Sequence, residues 1–195
     1  MIKNNIKQEI IPVAFLTIVV CASVILLSLT NDITSENIEK AKNEAVKSML
    51  NEQFPSMDDY SYYEKSDTYT VFSNDKIVGY AFMANANGYG GSIEILVALE
   101  NTLLTEDDIV IHGISVISHS ETPGLGERIV ETVFSSQFNG ITTDEVALKD
   151  NGGKIDAISG ATISSSAVVE AVYKNALEKA KEIRENKDLN FDEGS

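Results

Sequence analysis

Residues 10–30 form a stretch of 21 residues without a charged side chain, which limits the fold more than any other sequence feature. A helix rises about 1.5 Å per residue, so this stretch reaches about 30 Å, the thickness of a bilayer's hydrocarbon core. Pro12 lies in its first turn, where a missing N–H is tolerated. A secretory signal has a shorter apolar core and a small-residue cleavage site, and the bulky Val20 before Cys21 argues against lipoprotein cleavage. The sequence therefore predicts an uncleaved transmembrane helix over residues 10–30.

The charges that flank this span bear on its orientation. Lys7 lies close to one end and Asp32 close to the other, which favours a cytoplasmic location for residues 1–9. The count of Lys and Arg over both flanks is a weaker guide, because lysines also follow the span. The chain has no cysteine after Cys21, which excludes a disulfide framework and agrees with an oxidising exterior. We therefore expect a single-pass protein of the cell membrane whose soluble part lies on the extracytoplasmic side.

The composition excludes several functions. The sequence has 15 Lys and Arg against 30 Asp and Glu, a net charge of −15. A nucleic-acid ligand would need a basic patch that neutralises phosphates, so we expect no such partner. Two histidines, His112 and His119, without a cysteine nearby are too few for a convincing transition-metal site. The run Ser164 to Ser166 at a helix start is more typical of capping than of catalysis, so the sequence indicates neither metal ligands nor catalytic residues.

Hydrophobic periodicity divides the rest of the chain into helices and strands. A juxtamembrane helix that ends before Pro55 and a linker fill residues 31–67; its apolar positions are Ile38, Ala41, Ala45 and Met49. The next two strands form a β-hairpin around a turn at residues 73–76. The predicted strands are residues 69–72, 77–83, 93–99 and 109–117.

Two further helices complete the predicted fold. A short helix over residues 129–138 ends at Asn139-Gly140. A long C-terminal helix has one apolar stripe, formed by Val169, Val172, Tyr173, Ala176, Ala180 and Ile183. The fold class is therefore α+β: the transmembrane helix, then one domain over residues 68–186 with a mixed or antiparallel sheet and a C-terminal helix. Residues 187–195 are expected to be a frayed acidic tail.

The segment Asp156-Ala157-Ile158-Ser159-Gly160-Ala161-Thr162 stands directly before the C-terminal helix. Its pattern, D-x-x-[ST]-G-A-[TS], resembles the covalent flavinylation motif of the FMN-binding domain family, in which a flavin transferase joins the final Thr to the FMN phosphate. The resemblance implies FMN on Thr162, with Asp156 and Ser159 as recognition or positioning groups. Gly160 and Ala161 are small and leave room at the Thr162 hydroxyl for the phosphate and the modifying enzyme.

A phosphate at this point agrees with the physics of helix ends. The N-terminus of a helix presents unpaired N–H groups and the positive end of the helix dipole. The amides of Ile163, Ser164 and Ser165 are therefore candidates to hold the phosphodiester oxygens. The sequence leaves one alternative open, a Gly-Ala turn in which Thr162 or Ser164 simply caps the helix.

Two further segments resemble the same family. His119-Ser120-Glu121-Thr122-Pro123-Gly124-Leu125-Gly126 is similar to its H-x-E-T-P-G-L-G segment, which approaches the flavin ring, and Gly88-Tyr89-Gly90-Gly91 is similar to its glycine-rich segment. Taken alone, the first segment is a tight turn after a strand. The resemblance implies further cofactor contacts at Glu121, Thr122, Leu125, Gly126, Tyr89 and Gly90.

Within this family, the single span, the length of the domain and the helical C-terminus resemble the G subunit of Rnf electron-transport complexes. That resemblance implies an electron carrier, not a complete enzyme, with covalent FMN as its cofactor. The implied partners are the other subunits of an ion-translocating membrane complex, a flavin transferase for maturation, and membrane lipid. Alternatives are the C subunit of a sodium-translocating NADH:quinone reductase or a free-standing extracytoplasmic flavin carrier, and then a membrane-anchored binding module without a cofactor.

Overall fold

The computed structural model describes residues 12–24, 44–104 and 108–185. Residues 12–24 are helical and exposed. In the described part of the chain, no helix is both long and apolar enough to cross a membrane. The span expected over residues 10–30 extends beyond the described residues on both sides. Other predictions that fall outside them concern residues 1–9, Ile38, Ala41 and the tail over residues 187–195.

The chain divides between Ala45 and Val46 into two compact units, and the second unit contains a six-stranded sheet. The strands follow one another across the sheet in chain order, and each pairs with its neighbour in antiparallel fashion. They are β1 (Asp59–Tyr63), β2 (Thr68–Ser73), β3 (Lys76–Asn87), β4 (Ser92–Glu100), β5 (Val110–His119) and β6 (Ile141–Thr142). The predicted α+β class is confirmed, and the sheet is antiparallel.

The turn between β2 and β3 confirms the predicted hairpin. Asn74 and Asp75 connect the two strands, and both have positive φ angles, of 51° and 60°. Asn and Asp tolerate this left-handed conformation better than most residues, and two such residues in a row match the right-handed twist of a hairpin.

Helices cover both faces of the sheet. Helix α1 is described over residues 44–53, α2 is the single turn Thr132–Ser135, and α3 is the long helix Thr162–Glu185. Alternate residues of β4 point to opposite faces, as the period of a strand requires. Ile93, Ile95, Val97 and Leu99 belong to the core shared with α3, whereas Leu96 and Ala98 belong to the core shared with α1.

Helix α1 is part of the packed domain from Val46 onward. Val46, Leu50 and Phe54 are buried against Val71 and Leu96 of the sheet. The helix ends before Pro55, as predicted, and strand β1 follows at Asp59. The sheet therefore begins before the domain boundary expected at residue 68, inside the segment that was expected to be a linker.

Two helix predictions need correction. The single helix expected over residues 129–138 is wrong: this segment contains a 3₁₀ turn at Gly126–Val130, then α2, then a 3₁₀ turn at Ser136–Phe138. Each fragment buries one large apolar side chain, respectively Ile129, Phe134 and Phe138. In α3, Tyr173 is exposed, and Val168 lies in the core in addition to Val169 and Val172.

Candidate functional site

A tight turn presents the start of α3. The Ala161 N–H donates to the Ile158 carbonyl at 2.9 Å, and Gly160 between them has a φ of 80°, which favours glycine. The buried Ser165 hydroxyl accepts the Ile158 N–H at 3.0 Å and donates to the Ala161 carbonyl at 3.0 Å. The first turn of α3 therefore holds the turn before it in place, and Thr162 becomes the first residue of the helix.

Thr162 itself is available for chemistry. Its side chain is exposed, and its hydroxyl makes no hydrogen bond within the described part of the chain. The first intrahelical hydrogen bond runs from the Ser165 N–H to the Ala161 carbonyl at 3.0 Å. The amides of residues 162–164 precede that bond, so they are the ones free to bind an anion. Ser165 is not among them, contrary to expectation.

The capping alternative does not describe this helix start. The Ser164 hydroxyl donates to the Glu121 Oε2 atom at 2.9 Å, and neither it nor the Thr162 hydroxyl accepts a helix amide in the described structure. Ser165 makes the hydrogen bonds that stabilise the turn.

Glu121 connects the glycine-rich segment to the start of α3. Its side chain is only 6% exposed. The carboxylate accepts the Gly90 N–H at 3.3 Å and 3.2 Å through its two oxygens, and it accepts the Ser164 hydroxyl. The Glu121 N–H donates to the Nδ1 atom of His119 at 3.2 Å, which fixes the backbone at this point. One buried side chain thus joins the glycine-rich segment, the segment after β5 and the start of α3.

Glycines create the space that this carboxylate occupies. A Cβ atom at Gly88 would lie 1.8 Å from the Glu121 Oε1 atom, and one at Gly126 would lie 2.2 Å from the Oε2 atom. A Cβ atom at Gly90 would lie 2.8 Å from the Cα atom of Glu121. Side chains are sterically excluded at all three positions, which explains why glycines flank the glutamate in both segments.

These segments enclose a cavity of about 460 Å³, within the usual range for small-molecule sites. Its lining contains ten of the thirteen residues that the sequence predicted for the cofactor site: Tyr89, Glu121, Thr122, Leu125, Gly126, Gly160, Ala161, Thr162, Ile163 and Ser164. None of these carries a positive charge, so the main-chain amides are the groups that would neutralise a bound anion.

Three of the expected residues do not line the cavity. Gly90 acts through its hydrogen bond to Glu121. Ser159 is exposed in the turn. Asp156 lies on the surface, where its side chain pairs with the Nζ atom of Lys149 at 2.6 Å and its N–H donates to Gln137 at 2.7 Å. Asp156 therefore lies beside the site, not in its wall.

Sequence reasoning missed the roles of Gly88, His119 and Ser165. Gly88 and His119 were present in the matched segments, but only the folded chain shows that they position Glu121. The signal for Ser165 was its position four residues after Ala161, the spacing at which a helical serine reaches a backbone carbonyl.

A second cavity, of about 570 Å³, lies between α1, β5 and the segment around α2. There the Nε2 atom of His112 lies 2.8 Å from the Gln53 carbonyl, and its ring stacks on Phe54 at 4.5 Å. This cavity contains no residue of the three motif segments.

Comparison with known proteins finds relatives of this chain. The FMN-binding domain model matches residues 88–178, which contain all three motif segments. The G subunit of an ion-translocating oxidoreductase complex from Methanosarcina acetivorans is 33% identical over 184 residues, covering 86% of this chain and 93% of that protein. The G subunit of a proton-translocating ferredoxin:NAD(+) oxidoreductase complex from Clostridium ljungdahlii is 40% identical over 118 residues, covering 59% of this chain and 60% of that protein.

Among solved structures, the C subunit of the Na(+)-translocating NADH-quinone reductase from Parabacteroides distasonis matches with a TM-score of 0.49 and 22% identity, over 61% of this chain and 62% of that chain. The match to the Methanosarcina protein spans nearly the whole of both sequences. This chain therefore belongs to the family of G subunits of ion-translocating oxidoreductase complexes.

Proposed function

We propose that this protein is a membrane-anchored flavoprotein that carries FMN covalently on Thr162 and relays electrons within an ion-translocating complex. The observation that carries the proposal is the exposure of the Thr162 hydroxyl and its lack of hydrogen bonds in the described part of the chain. Thr162 also opens onto the cavity, and it begins α3 beside amides without an acceptor.

The residues present fit a phosphate ester of flavin. A phosphodiester on the Thr162 oxygen would lie at the N-terminus of α3, where amides and the helix dipole favour negative charge. Gly160 has no side chain, and Leu125 is the nearest neighbour of a Cβ atom built there, at 3.5 Å. The phosphate and a modifying enzyme therefore have access from this side.

The rim of the cavity fits a flat, largely apolar ring. Tyr89, Leu125 and Ile163 line it and are 75%, 51% and 59% exposed. Large apolar side chains exposed together usually mark a binding surface. When bound, FMN supplies the electron-transfer chemistry, and the chain holds and orients it and limits the access of water.

The family suggests the setting of the reaction. The two sequence relatives are the G subunits of oxidoreductase complexes, which favours this assignment over the C subunit of a quinone reductase. We therefore propose a carrier that is incomplete without its neighbouring subunits and that is matured by a flavin transferase. The uncharged residues 10–30 would anchor it, with residues 31–195 on the extracytoplasmic side.

Topology is testable with one introduced thiol. In a Cys21→Ser background the chain has no cysteine, so Lys65→Cys, in the exposed turn between β1 and β2, becomes its sole thiol. A membrane-impermeant maleimide should label it in intact cells. Labelling only after lysis would contradict the proposed side of the membrane.

Attachment is testable by gel fluorescence. The full-length chain, coexpressed with a flavin transferase, should keep flavin fluorescence through denaturing electrophoresis. Thr162→Ser should keep the signal, because it retains the hydroxyl, and Thr162→Val should lose it. Thr132→Val removes an exposed threonine at the start of α2, outside the cavity, and should keep it. A fluorescent Thr162→Val band would contradict the proposed linkage.

A further inference from the structure

The carboxylate of Glu121 is a buried charge without a cationic partner. It is 6% exposed, and no lysine, arginine or histidine in the described part of the chain forms an ion pair with it. Both hydrogen-bonding groups that reach it, the Gly90 N–H and the Ser164 hydroxyl, act as donors. Glu121 is thus an acceptor in every contact, as an ionised carboxylate is.

This charge lies in the wall of the cavity that Thr162 also lines. A sphere of 460 Å³ is about 10 Å across, which is comparable with the Debye length of about 8 Å at physiological ionic strength. Any ring held in the cavity therefore lies close enough to Glu121 that salt screens the interaction incompletely. Hydrogen bonds from the Gly90 N–H and the Ser164 hydroxyl hold the carboxylate in this position.

We propose that Glu121 is a positioning residue with an electrostatic role: it links α3 to the two loop segments and its fixed negative charge lowers the reduction potential of the flavin. The proposal rests on the proposed function, since it requires flavin in this cavity. Each electron that the flavin accepts without a proton adds one negative charge to the ring. The Glu121 carboxylate opposes that charge, so it stabilises the oxidised form relative to the reduced form.

Two substitutions separate the charge from the hydrogen bond. Glu121→Gln removes the charge and keeps the shape, with the amide oxygen able to accept the Gly90 N–H and the amide nitrogen able to face the Ser164 hydroxyl. Ser164→Ala breaks the hydrogen bond to α3 and keeps the charge. Glu178→Gln makes the same change of charge on the exposed surface of α3.

The test is an electrode titration of the full-length chain, solubilised in detergent, after intact mass has verified one flavin per chain. Glu121→Gln should shift the midpoint potential to more positive values. Ser164→Ala and Glu178→Gln should produce no positive shift. A purely structural role would instead move the potential alike in Glu121→Gln and Ser164→Ala, since both alter the same contact, and that result would overturn the proposal.

The remaining outcomes are also decisive. An unchanged potential in flavin-loaded Glu121→Gln overturns the electrostatic role and leaves the proposed function intact. If Glu121→Gln does not mature, Ser164→Ala decides. Loss of this donor leaves the carboxylate charge less compensated, so a lower potential supports the proposal, and an unchanged or more positive potential overturns it. Wild-type protein without flavin after coexpression with an active transferase would instead refute the proposed function.

Discussion

The Ser164 hydroxyl donates a 2.9 Å hydrogen bond to the carboxylate of Glu121, a residue 43 positions earlier in the chain. This contact joins the start of α3 to the loop after β5, and Gly90 joins the loop before β4 to the same carboxylate. The residue that carries the proposed flavin linkage, Thr162, is two positions before Ser164. One buried side chain therefore joins the segments that form the site.

Gly126→Ala should damage this assembly. The new Cβ atom would lie 2.2 Å from the Glu121 Oε2 atom and 2.9 Å from the Ser164 Oγ atom, and neither can move without losing its hydrogen bond. We expect a loss of about 1–3 kcal/mol in the free energy of unfolding, typical of overpacking, together with reduced flavin content. Urea denaturation and the ratio of flavin to protein absorbance measure the two effects.

The matched control is Gly152→Ala. Gly152 has a φ of 88° and open space where its Cβ atom would lie, so alanine there brings backbone strain of about 1–2 kcal/mol without a clash. Gly152→Ala should lower the free energy of unfolding by a similar amount and should retain full flavin content. Equal flavin loss in both variants would show that stability alone limits maturation.

Ser165→Ala should loosen the turn that presents Thr162. Its hydroxyl accepts the Ile158 N–H at 3.0 Å in a buried position, and without it that amide has lost its acceptor. An unsatisfied buried amide costs about 1–3 kcal/mol. We expect that loss in urea denaturation and slower flavin attachment by the transferase. Ser166→Ala, next along the helix and without such contacts, should match wild type; attachment at the wild-type rate in Ser165→Ala would count against a role for the turn.

The motif contacts could be predicted from the sequence only in part. Antiparallel pairing of β4 with β5 places Ile93 opposite His119, so the glycine-rich segment and the segment after His119 meet at one end of the sheet. Strands that follow one another in the sequence usually pair with each other, so this meeting can be predicted. The hydrogen bond from Ser164 to Glu121 cannot be predicted from strand pairing. It depends on where the first turn of α3 lies, and the packing of the rest of α3 against the core determines that position.

Two strands escaped prediction for a different reason. Strand β1 is an edge strand of five mostly exposed residues, too short for its pattern to be distinctive, and β6 has only two residues. The fragments around α2 were misread because Val130, Phe134 and Phe138 are each four residues apart, as on one face of a helix. Short segments with such spacing are compatible with several backbone paths, and the tertiary packing selects one of them.

Leu50→Ala tests whether α1 is part of the folded domain. Leu50 is fully buried against the sheet, so its truncation should cost about 2–5 kcal/mol in the free energy of unfolding. Lys47→Ala, on the exposed side of the same helix, should change it by less than about 0.5 kcal/mol. Equal effects in chemical denaturation would show that α1 does not stabilise the domain.

Stability should fall at high pH, partly through Tyr80. Burial raises the pKa of Tyr80 from its ordinary value of 10.0 to about 12, so the folded state favours the neutral phenol. Its contribution is complete below pH 10 and is lost as the pH rises from 10 to about 12. Urea midpoints measured across this window should decline less steeply in Tyr80→Phe than in wild type. Tyr173→Phe, at an exposed position of α3, is the control; identical slopes in all three proteins would contradict the role of Tyr80.

The most direct test of the account is the intact mass of the full-length protein, with and without coexpression of a flavin transferase whose activity is verified on another substrate. Covalent attachment at Thr162 predicts one adduct with the mass of FMN less one water, present only with the transferase and absent from Thr162→Val. Folded wild-type protein without the adduct, or an adduct that persists in Thr162→Val, would contradict covalent attachment of FMN at Thr162.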